Sequence, residues 1–422
     1  MKLRVKHKDL LMKSIFVLCL IYVLMRPFVT NYVTYYYKQI FMFFVGVGLA
    51  LSILNKRNLR KIGIYVIGHS LLFYIYIVLN ALLNGGTELL RYGFERYIFY
   101  TFPLFLMTYI QNKINWDKVL SGIMLFGILD ASISIIEFVT KRQMFPMSDG
   151  ELSVQLTTRA GALISRTYGL QGNYFLLAEI LCVCGISAFY LFRFRQSKLA
   201  FIGFIIISIG ILSTGTRGYY VAYAIGILFL YILESVSKKK QITPLIRIVV
   251  LVVIIYIALR MIIFSGFQFG NSFVDSLIMR IRMVFDWRGD SANSARLSRW
   301  EWALSMWKKA PLFGHGACFT DTRYSGFIAV TESGVLKRLV ELGLFGTILQ
   351  YGTMLPLILK GIKRFRIEQD QRSAFFFSVL VAFFIEDLIL QRYTALEYTI
   401  ITWSSLVYLA YYQKPLTNNH SN

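Results

Sequence analysis

Residues 174–233 read "YFLLAEILCVCGISAFYLFRFRQSKLAFIGFIIISIGILSTGTRGYYVAYAIGILFLYIL". Apolar runs at 173–192, 198–213 and 217–234 are parted only by "RFRQSK" (193–198) and "STGTRG" (213–218). A helix needs about 20 apolar residues to cross a hydrocarbon core, and each run comes near that length. The two interruptions differ. The first is a short basic loop, whereas the second holds one arginine between glycines at the mouth of the next span.

The pattern extends along the chain. Of its 422 residues 56% are hydrophobic and only 16% charged, which does not fit a soluble multi-domain protein. The formal net charge of +23 would suggest a nucleic-acid partner in a soluble chain. No nucleic-acid-binding signature accompanies it, so the cations read as loop charges that orient membrane helices. The N-terminal "MKLRVKHKDLLMKSIFVLCLIYVLM" has the charge order of a signal sequence without a small-residue cleavage site, and reads as a retained first helix. Cys19, Cys182 and Cys184 fall inside predicted spans and Cys318 in a loop, so no disulfide or metal framework follows.

The expectation is an all-α integral membrane protein, one polytopic domain over 1–422. About twelve spans are predicted, near 10–29, 37–54, 62–83, 91–110, 118–139, 173–192, 198–213, 217–234, 245–264, 337–359, 374–392 and 395–412. Alternate connections are short and basic: "NKRNLRK" (55–61), "RFRQSK", "SVSKKKQ" (235–241) and "KGIKRFRIEQDQR" (360–372). The positive-inside rule puts these loops, and with them both termini, in the cytoplasm. Two long connections, 140–172 and 265–336, then lie outside.

The outer surface so defined carries Arg159, Arg166, Arg217, Arg280, Arg282, Arg288, Arg296 and Arg299. Arginine suits a forked grip on phosphate or carboxylate, so an anionic substrate met from outside is one reading; solvated loop charge and lipid headgroup contact is the other. Within 265–336, "NSARLSRWEWALSMWKKAPLFGHG" (293–316) predicts an amphipathic helix over 295–310, capped by Asn293 or Ser294 and ended by Pro311. Trp300, Leu304 and Trp307 share a face, with Arg296 and Arg299 on a neighbouring one, which suits a helix lying in the headgroup plane. "GHG" at 314–316 supplies a turn that backbone can approach closely.

Four segments together resemble the superfamily of O-antigen polymerases (Wzy) and O-antigen ligases, polytopic membrane glycosyltransferases. They are "SRTYGLQGNYFLLAEIL" (165–181), "STGTRGYYVAYAIG" (213–226), "ARLSRWEWALSMWKKAPLFGHG" (295–316) and "ESGVLKRLVELGLFG" (332–346). Residues 1–150 match only as generic spans. In the last segment ligases carry a His-Asn pair where this chain has Glu332 and Ser333, and His315 lies upstream of the matching place. That departure tilts the resemblance towards polymerase.

The resemblance implies a GT-C-like bundle in the bacterial cytoplasmic (inner) membrane and no cofactor or metal. It also implies transfer of a glycan from undecaprenyl diphosphate to a hydroxyl of another lipid-linked repeat unit, making O-antigen, capsule or exopolysaccharide. An undecaprenyl-diphosphate-linked oligosaccharide and membrane lipids would be partners, with a chain-length regulator and a flippase as further candidates. Glu332, Arg217 and Arg296 are the expected catalytic residues. Arg166, Arg217, Arg296, Arg299, Asn173, Trp300 and His315 are the expected diphosphate and glycan contacts. Two alternatives remain open: a ligase acting on lipid A core, and a lipid-linked oligosaccharide flippase.

Polar groups inside predicted spans complete the reading. Asp130 with Glu137, Glu179, and Glu386 with Asp387 are expected to form interhelical pairs, as is Glu341 beside Gly343. Glu332, if not a base, is expected to pair with Lys337 or Arg338.

Overall fold

The computed structural model describes residues 2–33, 36–98, 101–145, 156–157, 163–164, 166–237, 291–320, 331–390 and 396–413, with isolated positions between. Apart from a two-residue antiparallel ladder, Leu156–Thr157 with Leu163–Ile164, the described elements are helical. They are α1 Lys2–Tyr32, α2 Tyr37–Ile53, α3 Lys56–Ile62, α4 Ile64–Gly93, α5 Pro103–Ile110, α6 Trp116–Thr140 and α7 Tyr174–Arg195. Then come α8 Lys198–Ser213, α9 Arg217–Ser237, α10 Ser291–Lys309, α11 Gly334–Glu368, α12 Gln371–Ile389 and α13 Leu396–Tyr411.

Six of these, α1, α4, α6, α7, α9 and α11, are long and apolar enough to cross a membrane, and α2 and α8 are shorter apolar helices. This is a multi-pass α-helical membrane protein. The expected twelve spans are not reached among the described residues. The predicted span 245–264 lies outside them. The predicted span 91–110 is not one helix: α4 runs on to Gly93, a π turn follows at Phe94–Ile98, and Pro103 opens α5. Proline lacks the N–H an uninterrupted helix would need there, but fits a first turn; apolar content alone does not register the break.

The helices bury unequal shares of their surface. Of its most apolar stretch α7 buries 83%, against 28% for α1 and 33% for α9. Thus α7 is wrapped by protein, against α6, α8, α9 and α12, while the others turn a face towards lipid. Crossings in this cluster are close because glycine stands at them: Gly127 faces Cys184, Gly185 faces Tyr223 and Gly210 faces Ala131. Lipid offers no hydrophobic drive for helix association, so small residues that admit tight packing take that role. A second group joins α11 to α4, α12 and α13.

Side-chain caps explain several boundaries. Asn115, Asn173, Ser197, Ser333 and Asp370 each accept a backbone N–H at a helix start, satisfying donors that would otherwise be orphaned. The amphipathic helix starts earlier than expected, at Ser291, so neither Asn293 nor Ser294 is its cap.

Candidate functional site

The loop before α7 is held by two carboxylates on α6. Asp130 accepts N–H groups from Leu170 (2.8 Å) and the Gln171 side chain (2.9 Å). Glu137 accepts from Tyr168 (2.8 Å), Gly169 (2.9 Å) and Met144 (3.0 Å). These acids therefore bind the loop, mostly through its backbone, instead of forming the interhelical pairs expected of them. A short 3-10 turn at Gly169–Gln171 exposes several N–H groups together, and a buried carboxylate has accepting sites for them. Hydroxyls of Ser134, Thr167 and Ser213 add a cluster at 2.5–3.2 Å that ties the loop to α6 and to the end of α8.

On this platform Arg166 lies over the Tyr174 ring, its guanidinium carbon 4.0 Å from the centroid. Asn173 accepts from Phe175 N (2.8 Å) and Leu176 N (3.2 Å), so its oxygen caps α7 and fixes the tyrosine beneath the arginine. The Arg166 Nε is buried and makes no hydrogen bond within the described residues. Burial pushes this guanidinium below the ordinary arginine value and the Arg217 charge adds to the effect, while Tyr174, Tyr168 and Tyr220 oppose it.

Arg217 begins α9 after the "STGT" turn, in which Gly215 takes φ 72°, a conformation glycine adopts without steric cost. The next residue, Gly218, faces Ile389 and Leu390 at the end of α12. The Leu390 carbonyl in turn accepts from Gly334 N at 3.2 Å. Leu390 therefore joins the start of α9 to the start of α11, two residues beyond Glu332.

Glu332 is the meeting point of the loop helix. Its carboxylate binds Arg299 directly and lies 3.6 Å from Arg296 Nε. Its carbonyl oxygen accepts the Trp300 indole N–H at 3.1 Å. Glu332 has φ 53°, uncommon for a residue with a side chain. The expected alternative partners are occupied elsewhere: Lys337 with Glu341 at 3.4 Å, and Arg338 with Asp387 and the Tyr351 hydroxyl.

What fixes α10 against α11 is the segment between them. At Gly343, with φ 64° and ψ −173°, α11 breaks; that backbone region is essentially confined to glycine. The break leaves carbonyls and N–H groups without intrahelical partners, and residues 311–316 fill them. His315 N donates to Val340 O (2.9 Å) and Gly316 N to Glu341 O (3.0 Å). Leu344 N donates to Pro311 O (2.9 Å) and Phe345 N to Leu312 O (3.0 Å). The close approach expected of "GHG" is thus to a broken helix. The His315 ring is used here as well: Nε2 lies 2.8 Å from Met306 O and so carries the proton. Glu341, as expected, is bound within the bundle, by Tyr97 (2.5 Å), the Thr320 hydroxyl (2.6 Å) and Lys337.

The structure therefore brings Arg296, Arg299 and Trp300 onto Glu332 and Arg166 onto Tyr174, while Asn173 caps a helix and His315 anchors the strap formed by residues 311–316. Arg159, Arg280, Arg282 and Arg288 lie outside the described residues. Sequence reading missed Asn80 on α4, which donates to Phe313 O (2.7 Å) and accepts from Ala317 N (2.8 Å), and Tyr76, which donates to Leu342 O (2.5 Å). An asparagine in the run "YIVLNALLN" was the available signal, since polar groups inside a span rarely lack a partner.

A family profile described as O-antigen ligase matches residues 202–351, from α8 through α9 and α10 into α11. This match, over about a third of the chain, supports the O-antigen ligase and polymerase superfamily that the four segments resemble. No curated protein matches the chain.

Proposed function

We propose that the protein is a polysaccharide polymerase of the bacterial inner membrane, with both termini cytoplasmic and the arginine-bearing end of the bundle outside. It transfers a glycan from undecaprenyl diphosphate to a hydroxyl of a second lipid-linked repeat unit. One observation carries the reading: Arg296 and Arg299 of the loop helix meet Glu332, two residues before Gly334, whose N–H is accepted by Leu390, the residue that also faces Gly218 next to Arg217.

The chemistry follows from a leaving group that is already activated. The acceptor oxygen forms a bond to the sugar C1 while the bond from C1 to the diphosphate oxygen breaks and its electron pair stays on the diphosphate. Arg166, Arg217, Arg296 and Arg299 neutralise that charge by forked hydrogen bonds. The acceptor's proton passes to Glu332 as general base, a contribution of roughly 10²–10⁴-fold. Trp300 holds the Glu332 backbone in place. No step calls for a metal.

A second reading, a ligase acting on lipid A core, has the printed description of the matching family in its favour. Glu332, standing where ligases carry histidine, favours the polymerase. The test incubates purified protein in lipid with a synthetic undecaprenyl-diphosphate repeat unit, with and without lipid A core. A ladder of lipid-linked oligomers supports polymerisation. A single addition to lipid A core replaces it with the ligase, and movement of the lipid across the bilayer without oligomers replaces it with a transporter.

A further inference from the structure

Three features of Glu332 do not suit a base that simply waits for its acceptor. Its carboxylate is shared between Arg299 and Arg296, so the lone pairs that would take a proton already face guanidinium groups. Its side chain is only 18% exposed whereas that of Arg299 is 45% exposed, so the arginine fork opens to solvent more than the acid does. And Arg296 Nε is buried and makes no hydrogen bond within the described residues, the carboxylate being too distant at 3.6 Å. An unmet buried donor is costly, and an acceptor with more oxygens than one carboxylate could reach both arginines at once.

We infer that Glu332 is the resident anion of the Arg296–Arg299 pair, and that the substrate's diphosphate exchanges with it, freeing the carboxylate for the acceptor hydroxyl. The inference rests on the reading of this site as one for a diphosphate. A diphosphate brings more charge and more acceptor oxygens than a carboxylate, and forked arginines favour it. A partly exposed ion pair is a weak competitor, worth about one power of ten in affinity at most. The backbone is pinned by the Trp300 indole, so the side chain can leave the arginines while its Cα stays. The base then becomes available only once a donor occupies the fork, which couples deprotonation to the presence of a leaving group.

The experiment measures inorganic pyrophosphate binding by calorimetry to the full-length protein in lipid nanodiscs. With the resident carboxylate removed, Glu332→Gln should bind about fivefold more tightly. Glu301→Gln removes the same charge from an exposed position on α10 and should shift affinity far less. In Glu332→Ala, added acetate should refill the vacated place and weaken pyrophosphate binding in a saturable way, while leaving the unsubstituted protein unaffected. Equal or weaker binding by Glu332→Gln, a shift matched by Glu301→Gln, or no acetate effect in Glu332→Ala would overturn the exchange. Turnover separates this inference from the base assignment. Tighter pyrophosphate binding with undiminished oligomer formation keeps the exchange and removes the base; unchanged binding with lost turnover does the reverse.

Discussion

The two ends of the bundle treat arginine differently. At the end away from Glu332, Arg193 is paired with Glu234 (2.8 Å), Arg195 and Arg372 share Asp117 (2.6 and 2.9 Å), and Arg364 lies 3.5 Å from both Glu368 and Asp370. Four arginines there meet four carboxylates, the acids coming from three helices and one helix cap, and the Tyr408 hydroxyl adds a further bond to Asp370 (2.9 Å). At the other end Arg166 rests on aromatic rings and Arg296 and Arg299 divide a single carboxylate. The first arrangement is matched and staples helices together. Around Glu332 two guanidinium groups share one acid, which is what a place for an incoming anion requires, although the same end also holds the matched pairs Arg26–Glu397 and Arg338–Asp387. Arginine content alone does not mark the candidate site; the local stoichiometry with carboxylates around Glu332 does.

The sharpest way to break this comparison is to remove cations from the receptive end. Arg217→Ala should abolish oligomer formation, a loss of at least about 10²-fold for a group aimed at developing charge, with the protein still folded in detergent by size-exclusion chromatography. Wild-type ladders from this variant would end the assignment. Glu332→Gln should reduce turnover by roughly 10²–10⁴-fold if it is the base, measured as initial rate at saturating donor.

Next come substitutions that should act on stability more than on chemistry. Asn80→Leu leaves Ala317 N without its side-chain partner, whereas Phe313 O keeps the Tyr76 hydroxyl, and an unmet buried group costs about 1–3 kcal/mol. The expected outcome is a lower melting temperature together with a several-fold loss of rate, because the strap sets α10 against α11. At the matched end Asp117→Ala should cost about 1–2 kcal/mol by stranding Arg195 and Arg372, with turnover per folded molecule changed less than twofold. A large loss of turnover there would show that the two ends are not separate in function.

The fold was more legible than the site, for a physical reason. Spans α7, α8 and α9 were readable almost to the residue because apolar runs, caps and breaking turns are local features of the chain. The span at 91–110 was not, since the π turn and the break before Pro103 depend on what packs around them. Glu332 shows the limit most clearly. Its neighbours in sequence, Lys337 and Arg338, were the natural partners by spacing, yet each is claimed by a buried acid, Glu341 or Asp387. The cations that do bind it lie 33 residues or more upstream. That pairing exists only because residues 311–316 dock into the break at Gly343 and carry α10 back over the start of α11. Asp130 and Glu137 repeat the lesson: their seven-residue spacing puts both acids on one face, but not their partners, which are backbone N–H groups of a distant turn.

The smallest expected effect decides how Asn173 belongs to the receptive end. Its side-chain oxygen caps α7, and losing such a cap costs typically about 1 kcal/mol. As a cap it acts on Arg166 only through Tyr174, so any residue able to accept the same two N–H bonds should serve. Asn173→Asp and Asn173→Ser should therefore keep both melting temperature and rate close to wild type, and Asn173→Ala should lose about 1 kcal/mol and a few-fold in rate. A substrate contact makes the opposite demand. Its amide N–H₂ would be the useful group towards a phosphate or sugar oxygen, and Asp would replace that donor with a negative charge. Thermal melts and initial rates on the three variants separate the two: if Asp caps as well as Asn but loses most of the rate, Asn173 touches the substrate, and the receptive end extends one residue past the arginine it supports.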